Sequence, residues 1–450
     1  MKEKRLFGTN GVRGVVGERM TPELVLRIGQ ALGAMRPGPI AVGRDTRTSG
    51  PVLVHALKSG LLASGCDVVD CGVLPTPALQ FIVRDTFAAG AMVTASHNPP
   101  QYNGVKVIEH DGTEMGDREV IALERRLFDG DFALRDWMNL GTETLAPDLV
   151  GRYLDAILAR FPGGIGEGMT VAVDPGSGPA ALTTPALLRR MGCEVHTING
   201  EPDGTFPGRL PEPTPDGLAP LADLVLETGA AFGVAHDGDA DRAVFVDDRG
   251  RYVEENHEFA LIARHVCRRR RGVIVTPVST SQLIEDIAEE TGCTVRYTPV
   301  GSIYVARTML ELIRDGVPVA FGGEGNGGLI YPDHQFCRDG GMTAATMVGL
   351  LAGEEKRLSE LLDGLPPFHF ISERIETGRA GEVVAAVESG FPGYSADRTD
   401  GIRISKDRTW ALVRPSGTEP IVRVMVEAPD RRSAEAMRDA IRGRIAPLLD

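Results

Sequence analysis

The sequence predicts an α/β protein: three similar α/β domains with mixed, largely parallel sheets, plus a C-terminal α+β domain, around a central cleft. Three observations carry this expectation. A strand, small polar loop, helix, glycine, strand pattern occurs three times. Each repeat then runs on to a further apolar stretch that ends in a polar loop. After Leu365-Pro366-Pro367 the pattern changes to short strands and helices mixed together. A chain of 450 residues also exceeds what one hydrophobic core usually serves. Its 55 glycines, against a usual ~7% of residues, suit many tight loops at strand ends.

The first repeat runs Ile40-Ala-Val-Gly-Arg44-Asp45-Thr46-Arg47-Thr48-Ser49-Gly50-Pro51, then an apolar-periodic helix, then Gly65-Cys66-Asp67-Val68. The second runs Val171-Ala-Val-Asp174-Pro-Gly-Ser177-Gly178-Pro179, a helix, then Gly192-Cys193-Glu194-Val195. The third runs Val273-Ile-Val-Thr276-Pro-Val-Ser279-Thr280-Ser281, a helix, then Gly292-Cys293-Thr294-Val295. Small polar residues cap the helix start and glycine ends it. Such βαβ units build parallel sheets with right-handed crossovers. The three cysteines fall where a small apolar residue enters a buried strand, so packing explains them.

Boundaries are expected near 147, 250 and 366, giving units 1–147, 148–250, 251–366 and 367–450. Residues 137–147 read as a linker, followed by a helix over 148–161. In the last unit a helix is expected over 383–388, strands over 401–405, 409–413 and 421–427, and a closing helix over 431–449.

Three loops follow equivalent apolar runs. The first is Thr94-Ala95-Ser96-His97-Asn98-Pro99-Pro100, whose prolines hold the backbone extended or turned. Lys106 follows on a return strand. A hydroxyl, an imidazole and an ammonium near one strand end suit a nucleophile handling an anion; a polar loop whose serine caps a turn fits equally well. The second is His236-Asp237-Gly238-Asp239-Ala240-Asp241-Arg242. Carboxylates at alternate positions can face one point, where Mg²⁺ is the natural partner. An EF-hand fits poorly, because Arg242 stands where that loop needs glycine. The third is Gly322-Gly323-Glu324-Gly325-Asn326-Gly327-Gly328, where side-chain acceptors on a bare backbone suit vicinal sugar hydroxyls. Ligands of open α/β sheets gather outside the carboxyl ends of strands. A fourth loop, Arg414-Pro415-Ser416-Gly417-Thr418, offers a guanidinium fork, hydroxyls and close backbone approach, as a phosphate cradle does, and Arg423 adds a second guanidinium.

A formal charge of −14 argues against a general nucleic-acid binder. It leaves room for an anionic small substrate held by local Arg and Lys. Six scattered cysteines without a CxxC pair do not form a disulfide framework. No apolar run approaches the ~18 residues of a membrane span, and Met1-Lys2-Glu3-Lys4-Arg5 leads into no signal-peptide core. A cytoplasmic protein without membrane partners is expected. Arg268 to Arg271 reads as the solvated end of a helix. His55, His110, His196, His257, His265 and His369 show no metal-ligand spacing, and His334 follows the glycine loop without a defined role.

The four loops in this order resemble the α-D-phosphohexomutases, which include phosphoglucomutase, phosphomannomutase and phosphoglucosamine mutase. Gly8-Thr9-Asn10-Gly11-Val12-Arg13-Gly14 is similar to that family's N-terminal loop, and the resemblance spans essentially the whole chain. It implies that Ser96 is carried as a phosphoserine and that Asp237, Asp239 and Asp241 hold Mg²⁺ together with its oxygen. It implies phosphoryl transfer to a hexose monophosphate through a hexose 1,6-bisphosphate, with His97, Lys106 and Arg13 handling protons and charge. Arg242, Glu324 and Asn326 would bind substrate, and Arg414, Ser416, Gly417, Thr418 and Arg423 would hold the phosphate that is not reacting. Two positions depart from many bacterial members. Gly328 stands where they carry histidine, and Pro299 where they often carry lysine, so no role for those side chains transfers. The opening loop leans toward glucosamine 6-phosphate as substrate, with phosphomannomutase/phosphoglucomutase activity as the alternative.

Overall fold

The computed structural model describes residues 6–8, 10–416 and 420–449. Gly417 and Thr418 of the expected phosphate cradle, and Thr9 of the opening loop, lie outside the described residues.

The three repeats fold into sheets of one strand order. In the first, Tyr102–Glu109, Ala89–Val93, Ile40–Arg44 and Val68–Val73 lie side by side. The second places Ala243–Asp247, Phe232–His236, Thr170–Asp174 and Glu194–Thr197 in the same sequence, and the third Gly328–Ile330, Val319–Glu324, Val273–Pro277 and Thr294–Thr298. Each time the first pairing is antiparallel and the next two are parallel. Parallel strands covered on both faces read as continuous apolar runs, as these do. The repeat helices are Gly50–Ala63, Thr184–Arg190 and Leu283–Thr291. The glycines that follow, Gly65, Gly192 and Gly292, have φ of 84°, 102° and 69°. A side chain would be strained in that left-handed region, so glycine turns the chain back into the sheet. Cys66, Cys193 and Cys293 are buried, as packing requires.

The first sheet has two further strands. Val12–Val15 runs antiparallel to Tyr102–Glu109 and brings Arg13 to the sheet end. Glu143–Leu145 runs parallel to Val68–Val73, inside the stretch expected to be a linker. Its three side chains are all exposed, so no apolar alternation marks it; Asp67 anchors it by accepting from the backbone and hydroxyl of Thr142. The helix expected over 148–161 begins as a 3-10 turn, Pro147–Leu149, and continues as Val150–Leu158. Arg268 and Arg269 close the helix Glu255–Arg269, and Arg268 is ion-paired with Glu290 as well as facing the helix dipole.

The last unit is a five-stranded antiparallel sheet ordered His369–Glu376, Ile421–Ala428, Thr409–Pro415, Ile402–Lys406 and Ser395–Asp397, with helices Ala380–Gly390 and Arg431–Ile445. The outer strands His369–Glu376 and Ser395–Asp397 are additions to the sequence expectation; both carry many polar residues at solvent-facing positions.

One apolar cluster runs through the first three units, joining Leu79 and Ile82 to Tyr153, Phe232, Phe259, Phe321 and Met347. The last unit has its own core, including Val383, Val424 and Ile441. It meets the third unit through Val278, Trp410 and Leu412, and Arg403 donates to the Val278 carbonyl across that contact at 2.9 Å. Among the described residues no helix is long and apolar enough to cross a membrane.

Candidate active site

The equivalent strands Ala89–Val93, Phe232–His236 and Val319–Glu324 deliver the serine, aspartate and glutamate loops to one region. Ser96 is buried, and its hydroxyl donates to Asp237 Oδ2 at 2.9 Å. The two residues lie 141 positions apart in the chain. His97 Nδ1 lies 3.4 Å from the same hydroxyl. Ser96 holds φ at 51°, a conformation that L-residues avoid unless their surroundings enforce it.

Arg47 enforces it. Its fully buried guanidinium donates to the carbonyls of Ser96, Asn98, Pro99 and Tyr102 at 2.6–3.0 Å, and to Asp45. Phe206, from the second unit, packs against the guanidinium with its ring centroid 5.3 Å away. The second unit repeats the device. Arg209 pairs with Asp174 at 2.7 Å and donates to the His236 carbonyl at 2.7 Å, immediately before the aspartate loop. His236 itself closes that loop from Nδ1 onto the Arg242 carbonyl. Burial pushes its imidazole down to about 4, so it is neutral at neutral pH. In the third unit a neutral group does this work, as Thr276 donates to the Gly323 carbonyl at 2.9 Å.

Asp237, Asp239 and Asp241 are buried, and one oxygen from each lies within 4.8 Å of the others. Asp239 Oδ1 and Asp241 Oδ1 are buried without a hydrogen-bond partner. Hard oxygen donors converging with free lone pairs fit a divalent cation such as Mg²⁺. Lys106 donates to Asp239 at 2.7 Å and to Asp241 at 3.1 Å, and Thr76 donates to Asp239. Burial opposes the Lys106 charge, yet these carboxylates hold its ammonium above the usual lysine range. Burial likewise opposes ionisation of Asp239 and Asp241. Lys106 outweighs it at Asp239, and Arg338 with Lys106 at Asp241, so both stay below the usual carboxylate range. Asp237 lacks a cation as close; burial and then its two acidic neighbours push it up.

Arg242 bridges the loops: it pairs with Glu212 at 3.0 Å and donates to His97 Nδ1. Burial, then Arg242 and Arg13, push His97 down to about 3. Arg13 donates to Asn98 Oδ1 at 3.0 Å. Glu324 is buried and accepts from Arg338 at 3.3 Å, whereas Asn326 turns its carbonyl oxygen back to the Gly328 amide at 3.1 Å. Arg414 faces Arg423 across paired strands and forms an ion pair with Asp400 at 2.6 Å. The Ser416 amide donates to the Ile421 carbonyl. Among the described residues no hydrogen bond or ion pair joins Arg414 or Arg423 to the serine and aspartate loops. His334 is structural: it stacks on Phe81 with centroids 5.2 Å apart and contacts Asp339 at 3.3 Å.

Arg47, Arg209, Thr76, Glu212 and Arg338 were missed by sequence reasoning. For Arg47 and Arg209 a signal existed, since Asp45 directly follows a buried strand, Asp174 ends one, and a buried carboxylate needs a cation. Nothing local marks Arg338.

Models of four consecutive domains match the chain: "Phosphoglucomutase/phosphomannomutase, alpha/beta/alpha domain I" over 4–134, domain II over 152–250, domain III over 254–368 and the C-terminal domain over 375–444. The chain belongs to the phosphoglucomutase/phosphomannomutase family. A phosphoglucomutase/phosphomannomutase of Thermococcus kodakarensis is 44% identical, with 96% of each chain covered. A probable phosphoglucosamine mutase of Methanopyrus kandleri is 42% identical over 97% of this chain and 96% of its own. The crystal structure of a phosphoglucomutase/phosphomannomutase family protein from Burkholderia thailandensis superposes with a TM-score of 0.88 at 27% identity, covering 100% of this chain and 98% of that one. As a member of this family the chain is a phosphohexomutase, an enzyme that moves a phosphate within a hexose phosphate.

Proposed function

We propose that this phosphohexomutase interconverts glucosamine 6-phosphate and glucosamine 1-phosphate by way of phosphorylated Ser96. The observation that carries the mechanism is the Ser96 hydroxyl, 2.9 Å from Asp237, with Lys106, Arg13 and Arg242 bound to the neighbouring Asp239, Asn98 and His97. Phosphoserine donates its phosphoryl group to the free hydroxyl end of the sugar phosphate. The bisphosphate so formed reorients, and its other phosphate returns to Ser96. Asp237, Asp239 and Asp241, with an oxygen on Ser96, would hold Mg²⁺, which when bound neutralises charge at the transferring group. Arg242 and Arg13 face the same loop as fixed positive charge, and Arg242 also holds His97 in place beside Ser96 Oγ by donating to its Nδ1. Glu324 and Asn326 read the sugar hydroxyls. The Arg414 loop, with Ser416, Gly417, Thr418 and Arg423, anchors the distant phosphate; its separation from Ser96 suits a substrate with phosphate at one end and the reacting hydroxyl at the other. The four units divide near 147, 250 and 366, a reading supported by one sheet in each.

The choice of glucosamine rests on the opening loop and on relatives carrying the phosphoglucosamine mutase name; phosphomannomutase/phosphoglucomutase activity is the alternative, favoured by the Thermococcus relative. Turnover of glucosamine 1-phosphate, mannose 1-phosphate and glucose 1-phosphate, with hexose 1,6-bisphosphate as activator, separates the two. Glucosamine 1-phosphate should give the highest kcat/KM, and a large preference for mannose 1-phosphate would reverse the assignment. Release of inorganic phosphate at the mutase rate would make the enzyme a phosphatase instead.

A further inference from the structure

Arg338 lies outside all four loops, yet it is buried at 7% exposure in the cleft between the second and third units. One end of its guanidinium donates to Asp241 Oδ2 and the other donates to Glu324 Oε2 at 3.3 Å. It therefore ties the aspartate loop to the sugar loop, two segments that share no strand pairing. Its backbone is fixed on both sides: Arg338 bridges Ile330 at the end of the sugar hairpin, and Asp339 caps the helix Gly340–Ala352 by accepting from the Met342 amide. From there the side chain runs to Glu324 in the sugar loop and Asp241 in the aspartate loop.

Gly328 shows that this path is built in. A Cβ added there would overlap the Arg338 Cδ, and would come within 3.0 Å of Asn326 Oδ1. Gly328 does not have the positive φ that Gly323 and Gly327 have. Backbone conformation thus does not demand glycine at 328; room for the arginine stem does. One cation from outside the loop thus occupies the space that a side chain at 328 would take.

We propose that Arg338 is a positioning residue for sugar recognition, holding the Glu324 carboxylate by Oε2 so that Oε1 accepts a sugar ring hydroxyl, in register with the aspartate loop. The proposal rests on the reading of Glu324 as a hydroxyl acceptor. The planar guanidinium reaches Asp241 from one nitrogen and Glu324 from another; a lysine there has a single nitrogen on a shorter reach, and both carboxylates would have to come to that one point.

The test compares kcat/KM for the preferred hexose phosphate with analogues each lacking one ring hydroxyl, in the wild type, R338M, R338K and G328A. The wild type is expected to discriminate by about tenfold or more against the analogue missing the hydroxyl that Glu324 holds, the scale of a hydrogen bond to a charged group. In R338M the KM for the parent should rise about tenfold with a smaller fall in kcat, and the discrimination should shrink to about twofold. R338K should lose discrimination as R338M does, because its charge remains but the bridge is broken. G328A, which displaces the arginine stem while keeping its charge, should move the same way even if an arginine variant fails to fold. Unchanged discrimination in R338M, or in G328A, with kcat lowered equally for every analogue, would make Arg338 a mere counter-charge for Asp241 and overturn the proposal alone. A wild type that turns over no hexose phosphate would overturn the functional reading and this proposal with it.

Discussion

The serine and aspartate loops are held differently from the glutamate loop, although all three leave equivalent strands. Arg47 with Asp45 and Arg209 with Asp174 clamp the first two through buried guanidinium–carboxylate pairs that also collect loop carbonyls. The third has the Thr276 hydroxyl and a bridge to Arg338. The difference matches the roles proposed for the loops. A loop that gathers phosphate and metal carries dense charge, and an organised cationic clamp keeps its geometry with or without ligand. A loop that reads hydroxyls needs only a fixed acceptor. Rigid placement of reacting groups is a large share of phosphoryl-transfer catalysis, and this molecule puts its strongest clamps there.

Removing the chemistry from the clamped loops should have the largest effect. Ser96→Ala is expected to lower kcat by at least on the order of 10⁴-fold, and intact-mass measurement should find phosphate on the wild type and none on the variant. Asp239→Asn should raise the Mg²⁺ concentration needed for half-maximal rate and cost a few kcal/mol in barrier, roughly a hundredfold or more in kcat; a metal titration of the rate checks both.

Breaking a clamp comes next. Arg47→Met leaves Asp45 buried without its cation and strips four loop carbonyls of a donor, so a loss of about 3–5 kcal/mol in unfolding free energy is expected, read by chemical denaturation. Thr276→Val removes one neutral hydrogen bond at the same shape and should cost only about 1 kcal/mol. Equal losses in these two variants would erase the distinction between the clamps.

A pH-dependent effect concerns Glu258, in the helix that opens the third unit. Both its carboxylate oxygens are buried without a hydrogen-bond partner. Burial, then Glu255 and Glu254, hold the carboxyl well above its ordinary value of 4.5. The folded protein therefore keeps this proton where the unfolded chain releases it. The contribution to stability is full below pH 4.5 and is lost as pH rises toward the folded value, by on the order of 1 kcal/mol per pH unit. Glu258→Gln should flatten that part of the slope in denaturation curves taken across pH 5–7.

Much of the architecture was legible because it is periodic. The glycine-cysteine pairs at 65–66, 192–193 and 292–293 mark three βαβ units, and each glycine does adopt the left-handed conformation that ends a helix. The strand Glu143–Leu145 was not legible, because an exposed edge strand held by one aspartate leaves no apolar pattern. In the site, Ser96, Asp237, Asp239, Asp241 and Glu324 stood out as unusual residue types at strand ends, and the fold brings them into one buried cluster. Arg414 and Arg423 stood out equally, and the structure sets them apart from that cluster on a separate sheet.

By itself the sequence determined the repeated units, the chemical loop that ends each, and the residues able to carry a phosphoryl group or a divalent cation. These are local properties, fixed by strand and helix periodicity and by which side chains stand next to one another. Only the tertiary structure decided which cation compensates which carboxylate. Coulombic partners are chosen by proximity in three dimensions, so Lys106 answers Asp239, Arg47 supports Ser96, and Arg338 joins Asp241 to Glu324 across separate sheets.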